Sequence, residues 1–347
     1  MPLCGAVVSE QCIIMNSCMK STARIFVAGH RGLAGSAIAR NLKARGYTNL
    51  LLRTRSELDL LDRAATRAFF ESEQPEYVFL AAAKVGGVLA NRDFPAEFIS
   101  QNLDIQSNVL ESALGTGVQR LLFLGSSCIY PRLAAQPLKE EYLLSGPLES
   151  TNRPYAVAKI AGIEMCWAFN RQYGTKFLAA MPTNLYGPGD NYDLQSSHVL
   201  PALIRKTHEA IERGERQVVV WGTGTPLREF LFSDDMADAC VHLMNLPAAQ
   251  FESVIAIPDM PPLINIGSGQ DVSIRELARI VCSVLGFDGN IVFDPTKPDG
   301  TPRKLLDSTR LFGLGWTPRI SLRQGIQLAW DDYRTTLQAG AGNTLRI

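Results

Sequence analysis

Histidine is scarce in this chain of 347 residues, at four, and the seven cysteines include no CxxC pair. These shortages exclude a zinc-ligand array and a disulfide framework. Excess charge of one sign is also lacking. The 34 lysines and arginines balance 34 aspartates and glutamates, so net charge offers no general attraction to nucleic acid or an anionic membrane. No apolar run approaches the ~20 residues that a membrane-crossing helix needs. The opening MPLCGAVVSEQCIIMNSCMKSTA lacks a basic start and is broken by Ser9, Glu10 and Gln11, which argues against a signal peptide. Residues 1–23, with Cys4, Cys12 and Cys18, are expected to form a loosely ordered extension. Cys128, Cys166, Cys240 and Cys282 fall in apolar runs, as reduced buried thiols of a cytoplasmic protein do.

What the chain has is a hydrophobic content of 46%, enough for a substantial core, and a regular alternation of short apolar runs with amphipathic stretches. Residues 24–29, 50–54, 77–83 and 121–127 read as strands, separated by helical patterns over 33–46, 62–73 and 96–116. Continuous apolar strands between helices predict an α/β fold with a doubly wound parallel sheet of Rossmann type. The second half is less regular: a helix over 153–173, a strand over 176–181, a helix over 198–214, a strand over 217–222 and then a turn-rich TGTPLRE. Late strands at 263–269 and 291–295 flank a helix at 273–286. The expected organisation is a dinucleotide-binding domain over 24–182 and a smaller, discontinuous substrate domain over 183–340, with some segments returning to the sheet.

Gly29-His30-Arg31-Gly32-Leu33-Ala34-Gly35 joins the first strand to the first helix. In that context the glycines allow a tight turn and close approach to a pyrophosphate at a helix N-terminus. Near the end of the second strand stand Arg53, Thr54 and Arg55, where an arginine favours the extra phosphate of NADP. Asp59 keeps NAD open as the alternative. Tyr155 and Lys159 share one helix face at i and i+4. A nearby cation is expected to lower the phenol from its ordinary pKa near ~10. Ser126 ends the fourth strand, where doubly wound sheets place ligands, although serines also end strands for structural reasons.

From residue 24 to about residue 335 the chain resembles the GDP-L-fucose synthases, a family of extended short-chain dehydrogenases. GHRGLAGSAI, LLRTRSELDL, AAAKVGG, LGSSCIYP, YAVAKIAGIEMC, MPTNLYGP, SSHVLPALI, VVVWGTGTPLREFL and KPDGTPRKLLD carry the resemblance. It implies a bifunctional, NADPH-dependent enzyme that epimerises C3 and C5 of GDP-4-dehydro-6-deoxy-D-mannose and then reduces C4, giving GDP-L-fucose. Ser126, Tyr155 and Lys159 would serve the reduction, and Cys128 and His198 the epimerisation. NADP(H) contacts would fall on Gly29 through Gly35 (with His30, Arg31, Gly32, Leu33 and Ala34), Arg55, Leu124, Gly125, Ser126, Lys159, Pro182, Thr183, Asn184, Leu185 and His198. Lys206, Trp221, Arg228 and Asp299 would bind the GDP-sugar, and the family pattern implies a homodimer and no metal. Blander readings stand beside these: Cys128 as a core thiol, His198 as a helix cap, Trp221 as core and Arg228 as the ion-pair partner of Glu229. His30 falls in the pyrophosphate loop, whereas His208 and His242 read as structural or exposed.

The chemistry fits these residue types. A 4-keto group acidifies the hydrogens at C3 and C5, and thiol and imidazole have ordinary pKa values near ~8.5 and ~6.5, close to working pH. Two other readings are a 4-epimerase or 4,6-dehydratase that retains its cofactor, and a silent dinucleotide-binding module. A dehydratase calls for a carboxylate where Cys128 stands, and a silent module usually loses Tyr155 or Lys159.

Overall fold

The computed structural model describes residues 19–194, 196–297 and 299–341. β1 (Ile25–Ala28) leads through α1 (Leu33–Ala44), β2 (Leu50–Leu51), α2 (Arg63–Glu73), β3 (Tyr77–Leu80), α3 (Val88–Asp93), α4 (Pro95–Gly115), β4 (Arg120–Leu124) and α5 (Arg153–Tyr173) to β5 (Phe177–Pro182). The chain continues as β6 (Asn184–Tyr186), α6 (Val199–Glu212), β7 (Gln217–Trp221), β8 (Leu227–Phe232), α7 (Ser233–Met244) and α8 (Ala248–Ile255). It ends with β9 (Leu263–Ile266), β10 (Asp271–Ser273), α9 (Ile274–Leu285), β11 (Asn290–Asp294), β12 (Arg303–Lys304), α10 (Thr309–Gly313) and α11 (Leu322–Ala341).

Six parallel strands pair in the order β2-β1-β3-β4-β5-β9, the doubly wound sheet expected from the alternating pattern. Their side chains alternate between two cores. Ile25 and Val27 join one face, Phe26 and Ala28 the other; Leu122 and Leu124 oppose Leu121 and Phe123. Burial on both faces is why these strands read as unbroken apolar runs. Each large side chain buried this way contributes roughly 1.5–3 kcal/mol. Because the chain moves from β1 to β2 on one side and then crosses to β3 on the other, the switch point lies beyond the carboxyl ends of β1 and β3.

The return of the chain to this sheet is long-range. β9 pairs with β5, and α7 packs on α1 through Arg40–Asp234 and Arg45–Asp238 ion pairs. A second sheet is built on β8, flanked by β10 and β12 and joined by β6, while β7 and β11 pair separately. A third core of Tyr186, Leu203, Ile204, Phe230, Phe232, Leu277 and Ile326 lies under α6, α9 and α11.

Two expectations need correction. Residues 19–23 do not belong to a loose extension: Met19 is 1% exposed, its amide donates to Asn245 Oδ1, and Ala23 lies in the same core. Residues 1–18 of that extension lie outside the described residues. The turn-rich TGTPLRE also gives way at Leu227 to β8, because the apolar run Phe230–Phe232 is buried between β6 and α7. Among the described residues no helix is long and apolar enough to cross a membrane.

Candidate active site

The glycine loop is shaped by contacts that tolerate no side chain. Gly29 has φ +81°, and a Cβ there would lie 2.7 Å from the Ala82 amide nitrogen, just past β3. A Cβ on Gly35 would overlap the Gly29 carbonyl, so the first turn of α1 closes directly against the loop. Gly32 caps α1 without a side chain, leaving its first amides open toward the switch point. Among the described residues His30 Nδ1 is buried without a hydrogen-bond partner, a polar atom in the loop that would face the pyrophosphate. Burial, reinforced by Arg31, holds the His30 imidazole below its ordinary pKa. These features fit a dinucleotide.

The two arginines after β2 are placed differently. Arg53 is held by Glu73 at 2.7 Å and lies over the Phe69 ring. Arg55 is exposed and, among the described residues, pairs with Asp59 alone, at 3.4 Å. Asp59 also accepts the Leu61 amide, so its carboxylate is engaged on its own turn. Arg55 is therefore the cation left available there for a phosphate.

At the carboxyl end of β4, Ser126 precedes a 3-10 turn over Ser127–Ile129 that carries Cys128. α5 brings Tyr155 and Lys159 to the same edge. Tyr155 packs edge-on against Phe98, with ring centroids 6.2 Å apart. Lys159 Nζ donates to the Leu124 carbonyl at 2.8 Å and lies 5.8 Å from the Tyr155 ring centroid. The phenol departs from the expected direction. Burial pushes the Tyr155 pKa well up, the Cys128 thiol adds to this, and only the Ser126 hydrogen bond opposes it. Spacing on a helix announces the neighbouring cation, but not the desolvation that sets the direction of the shift.

Burial also lowers the Lys159 ammonium from 10.5 to about 8, with Cys128 opposing. The sign follows from linkage. Between the native value and the unfolded one near ~10.4, the unfolded chain binds the extra proton, so stability rises with pH across that window. Below it, the native state holds a buried charge at a cost. Lys159→Met is expected to raise stability at pH 7 by about 1–3 kcal/mol while removing hydride transfer. The stability gain should fade as pH rises toward the unfolded value, as paired urea titrations at neutral and alkaline pH would reveal. A variant less stable than wild type at pH 7 contradicts this account.

Cys128 is 6% exposed. Burial raises its thiol pKa, whereas Lys304, the Ser126 hydrogen bond and Lys159 pull it down. His198 stands at the N-cap of α6 but makes no side-chain cap bond, which removes the capping explanation. The residue as a whole is exposed, yet burial of its imidazole, then Lys304, lowers its pKa. Lys304 thus acts on both groups and is itself lowered by burial, with Arg228 in the same direction. Spacing did not single out Lys304. It sits in a two-residue strand with no periodicity, and only the register of β12 beside β8 brings it to the thiol.

The remaining positions lie around β6, β7 and β8. Pro182 ends β5, the Thr183 amide donates to Ile266, and Asn184 Nδ2 donates to the Glu229 carbonyl, while Leu185 packs on the large core. Trp221 is 53% exposed, which rules out the core reading, and both Lys206 and Lys297 lie over its ring at 5.2 and 5.6 Å. Lys206 Nζ also donates to the Val219 carbonyl. Arg228 makes no ion pair with Glu229, since neighbours on a strand point to opposite faces. Instead it lies in the field of Asp299, though burial lowers its pKa more. The Asp299 carboxylate accepts the Thr223 amide at 3.0 Å and its hydroxyl at 2.7 Å, so it fixes the turn beside Trp221. His208 bonds Trp330 and His242 meets the Leu314 carbonyl, both as structural contacts.

Comparison with known proteins places the chain in a family. The model of the NAD dependent epimerase/dehydratase family matches residues 25–266. GDP-L-fucose synthase 1 of Arabidopsis thaliana is 55% identical over 92% of this chain and 95% of its own length. GDP-L-fucose synthase of Escherichia coli (strain K12) is 55% identical over 88% of this chain and 95% of its own. Among solved structures, a GDP-mannoheptose C4 reductase from Campylobacter jejuni with NADP bound superposes with a TM-score of 0.81 at 39% identity, covering 91% of this chain and 99% of that one. The chain belongs to the NAD dependent epimerase/dehydratase family, and within it to the group of GDP-L-fucose synthases.

Proposed function

We propose that this chain converts GDP-4-dehydro-6-deoxy-D-mannose to GDP-L-fucose, inverting C3 and C5 and then reducing C4 at the expense of NADPH. The carrying observation is that Ser126, Cys128, Tyr155 and Lys159 meet at the end of β4, with Lys304 acting on both Cys128 and His198. NADPH supplies a hydride to C4. The protein's part is proton handling and orientation. Cys128 and His198 act as the base–acid pair at C3 and C5, and the Lys304 ammonium stabilises the negative charge that develops when either hydrogen leaves. Ser126 orients the C4 oxygen, and Tyr155 donates its proton there as the alkoxide forms. A phenol held above its ordinary pKa keeps that proton at neutral pH, as the reductive direction requires.

The loop from Gly29 to Gly35 holds the pyrophosphate, and Arg55 meets the phosphate that distinguishes NADPH from NADH. Arg55→Ala is expected to weaken NADPH binding about tenfold or more and leave NADH nearly unchanged, since an arginine–phosphate contact is charge-assisted. Equal losses in two fluorescence titrations would refute the contact. Arg228, Lys206 and Trp221 bind the GDP moiety, with Asp299 fixing the turn beside it. The chain works as a cytosolic homodimer through α4 and α5, where Val157 is an exposed apolar residue beside Pro95, Ala96, Ile99 and Pro154.

The decisive experiment adds the GDP-keto sugar to enzyme and NADPH. One NADPH is consumed per sugar, and GDP-L-fucose forms. A retained-cofactor epimerase or dehydratase consumes none, and that result would sink the proposal.

A further inference from the structure

Glu229 is a fully buried carboxylate that the hydride and proton transfers leave unexplained. Its Oε1 accepts the Gly269 amide at 2.8 Å and the Ser268 hydroxyl at 3.4 Å, and its Oε2 accepts the Leu306 amide at 3.0 Å. The Glu229 backbone carbonyl takes Asn184 Nδ2 at 2.8 Å and Thr183 Oγ1 at 3.3 Å. One residue thereby ties together the Pro182–Leu185 turn, the loop after β9, the segment after β12 and its own strand β8.

The consequence lies in what those segments carry. Arg228 is its neighbour on β8, and Lys304 is the register partner of Arg228 and stands two residues before Leu306. The turn at Thr183 and Asn184 is the one assigned to the cofactor. Burial raises the Glu229 carboxyl, while the Leu306 and Gly269 amides favour its charged form. Removing either acceptor oxygen strands a buried amide, and the segment after β12 and the loop after β9 are then free to shift relative to β8, whose backbone carbonyl keeps its hold on the cofactor turn.

We propose that Glu229 is a positioning residue that holds Arg228 and Lys304 at a set distance from the cofactor turn, and so fixes the grip on the GDP group. This rests on the reading of Arg228 as a GDP contact.

The test is calorimetric titration with GDP, and separately with NADPH, of wild type, Glu229→Gln, Gly267→Ala and Arg228→Ala. Glutamine presents an amide group to one of the two buried N–H donors. The expected result is a GDP dissociation constant raised about tenfold, with that of NADPH within about twofold of wild type. Gly267→Ala acts from the other side, because a Cβ there would overlap the Glu229 carboxylate, and should give the same selective loss. It decides the matter if Glu229→Gln does not fold.

Unchanged GDP affinity in the folded variants overturns the proposal. A parallel fall in NADPH affinity does so too, since it marks a residue that merely holds the fold. If Arg228→Ala weakens GDP but Glu229→Gln and Gly267→Ala do not, this inference alone fails. If Arg228→Ala binds GDP as wild type does, the reading of the substrate site fails and takes the inference with it.

Discussion

Replacing Tyr155 with phenylalanine is expected to lower the rate of NADPH oxidation by about 10³-fold, within the range for loss of a positioned general acid. Solvent deuterium should still enter C3 and C5, because Cys128, His198 and Lys304 are untouched. The substitution removes one oxygen from a packed site and keeps the ring that meets Phe98 edge-on. It also removes a phenol that burial disfavours in its ionised form, so unfolding stability should be little affected. Stopped-flow absorbance of NADPH and proton NMR of the exchanged sugar separate the two half-reactions. A variant that keeps more than about a tenth of the wild-type reduction rate would show that another group protonates the C4 oxygen.

The complementary loss belongs to Cys128→Ser and His198→Gln. Each should lower deuterium incorporation at C3 and C5 by about 10²- to 10⁴-fold, and Cys128→Ser should leave NADPH binding intact. The physical basis is the shared field of Lys304. Burial holds the thiol up and the imidazole down, and both shifts favour the uncharged forms. A serine hydroxyl is far less acidic than a thiol and gains too little from the same cation to replace it. A glutamine fills the place of the imidazole but does not titrate. Exchange at the wild-type rate in either variant would remove that residue from the epimerisation.

The two sets of variants divide the site along a line already present in the fold. In the proposed division, reduction would draw on β4 and α5, two neighbours around the large sheet, and epimerisation would add His198 from the start of α6 and Lys304 from β12, both contributed by the later half of the chain.

The amino-acid sequence by itself determined the parallel half of the molecule. Residues such as Ile25–Ala28 and Leu121–Leu124 are buried on both faces, and strands of that kind announce themselves as unbroken apolar runs between helices. It also determined the glycine loop and the Tyr155/Lys159 pair, because a tight turn and a helix face are local geometry. Cys128 and His198 were singled out only through the family motifs around them.

Tertiary structure decided the rest. β8, β10 and β12 are short or carry charged residues, and their pairing partners lie far along the chain, so no period marks them. Lys304 and Glu229 owe their places to that pairing. The direction of the Tyr155 shift was also beyond reach, since desolvation depends on everything packed around the phenol, whereas spacing reports only the cation next to it.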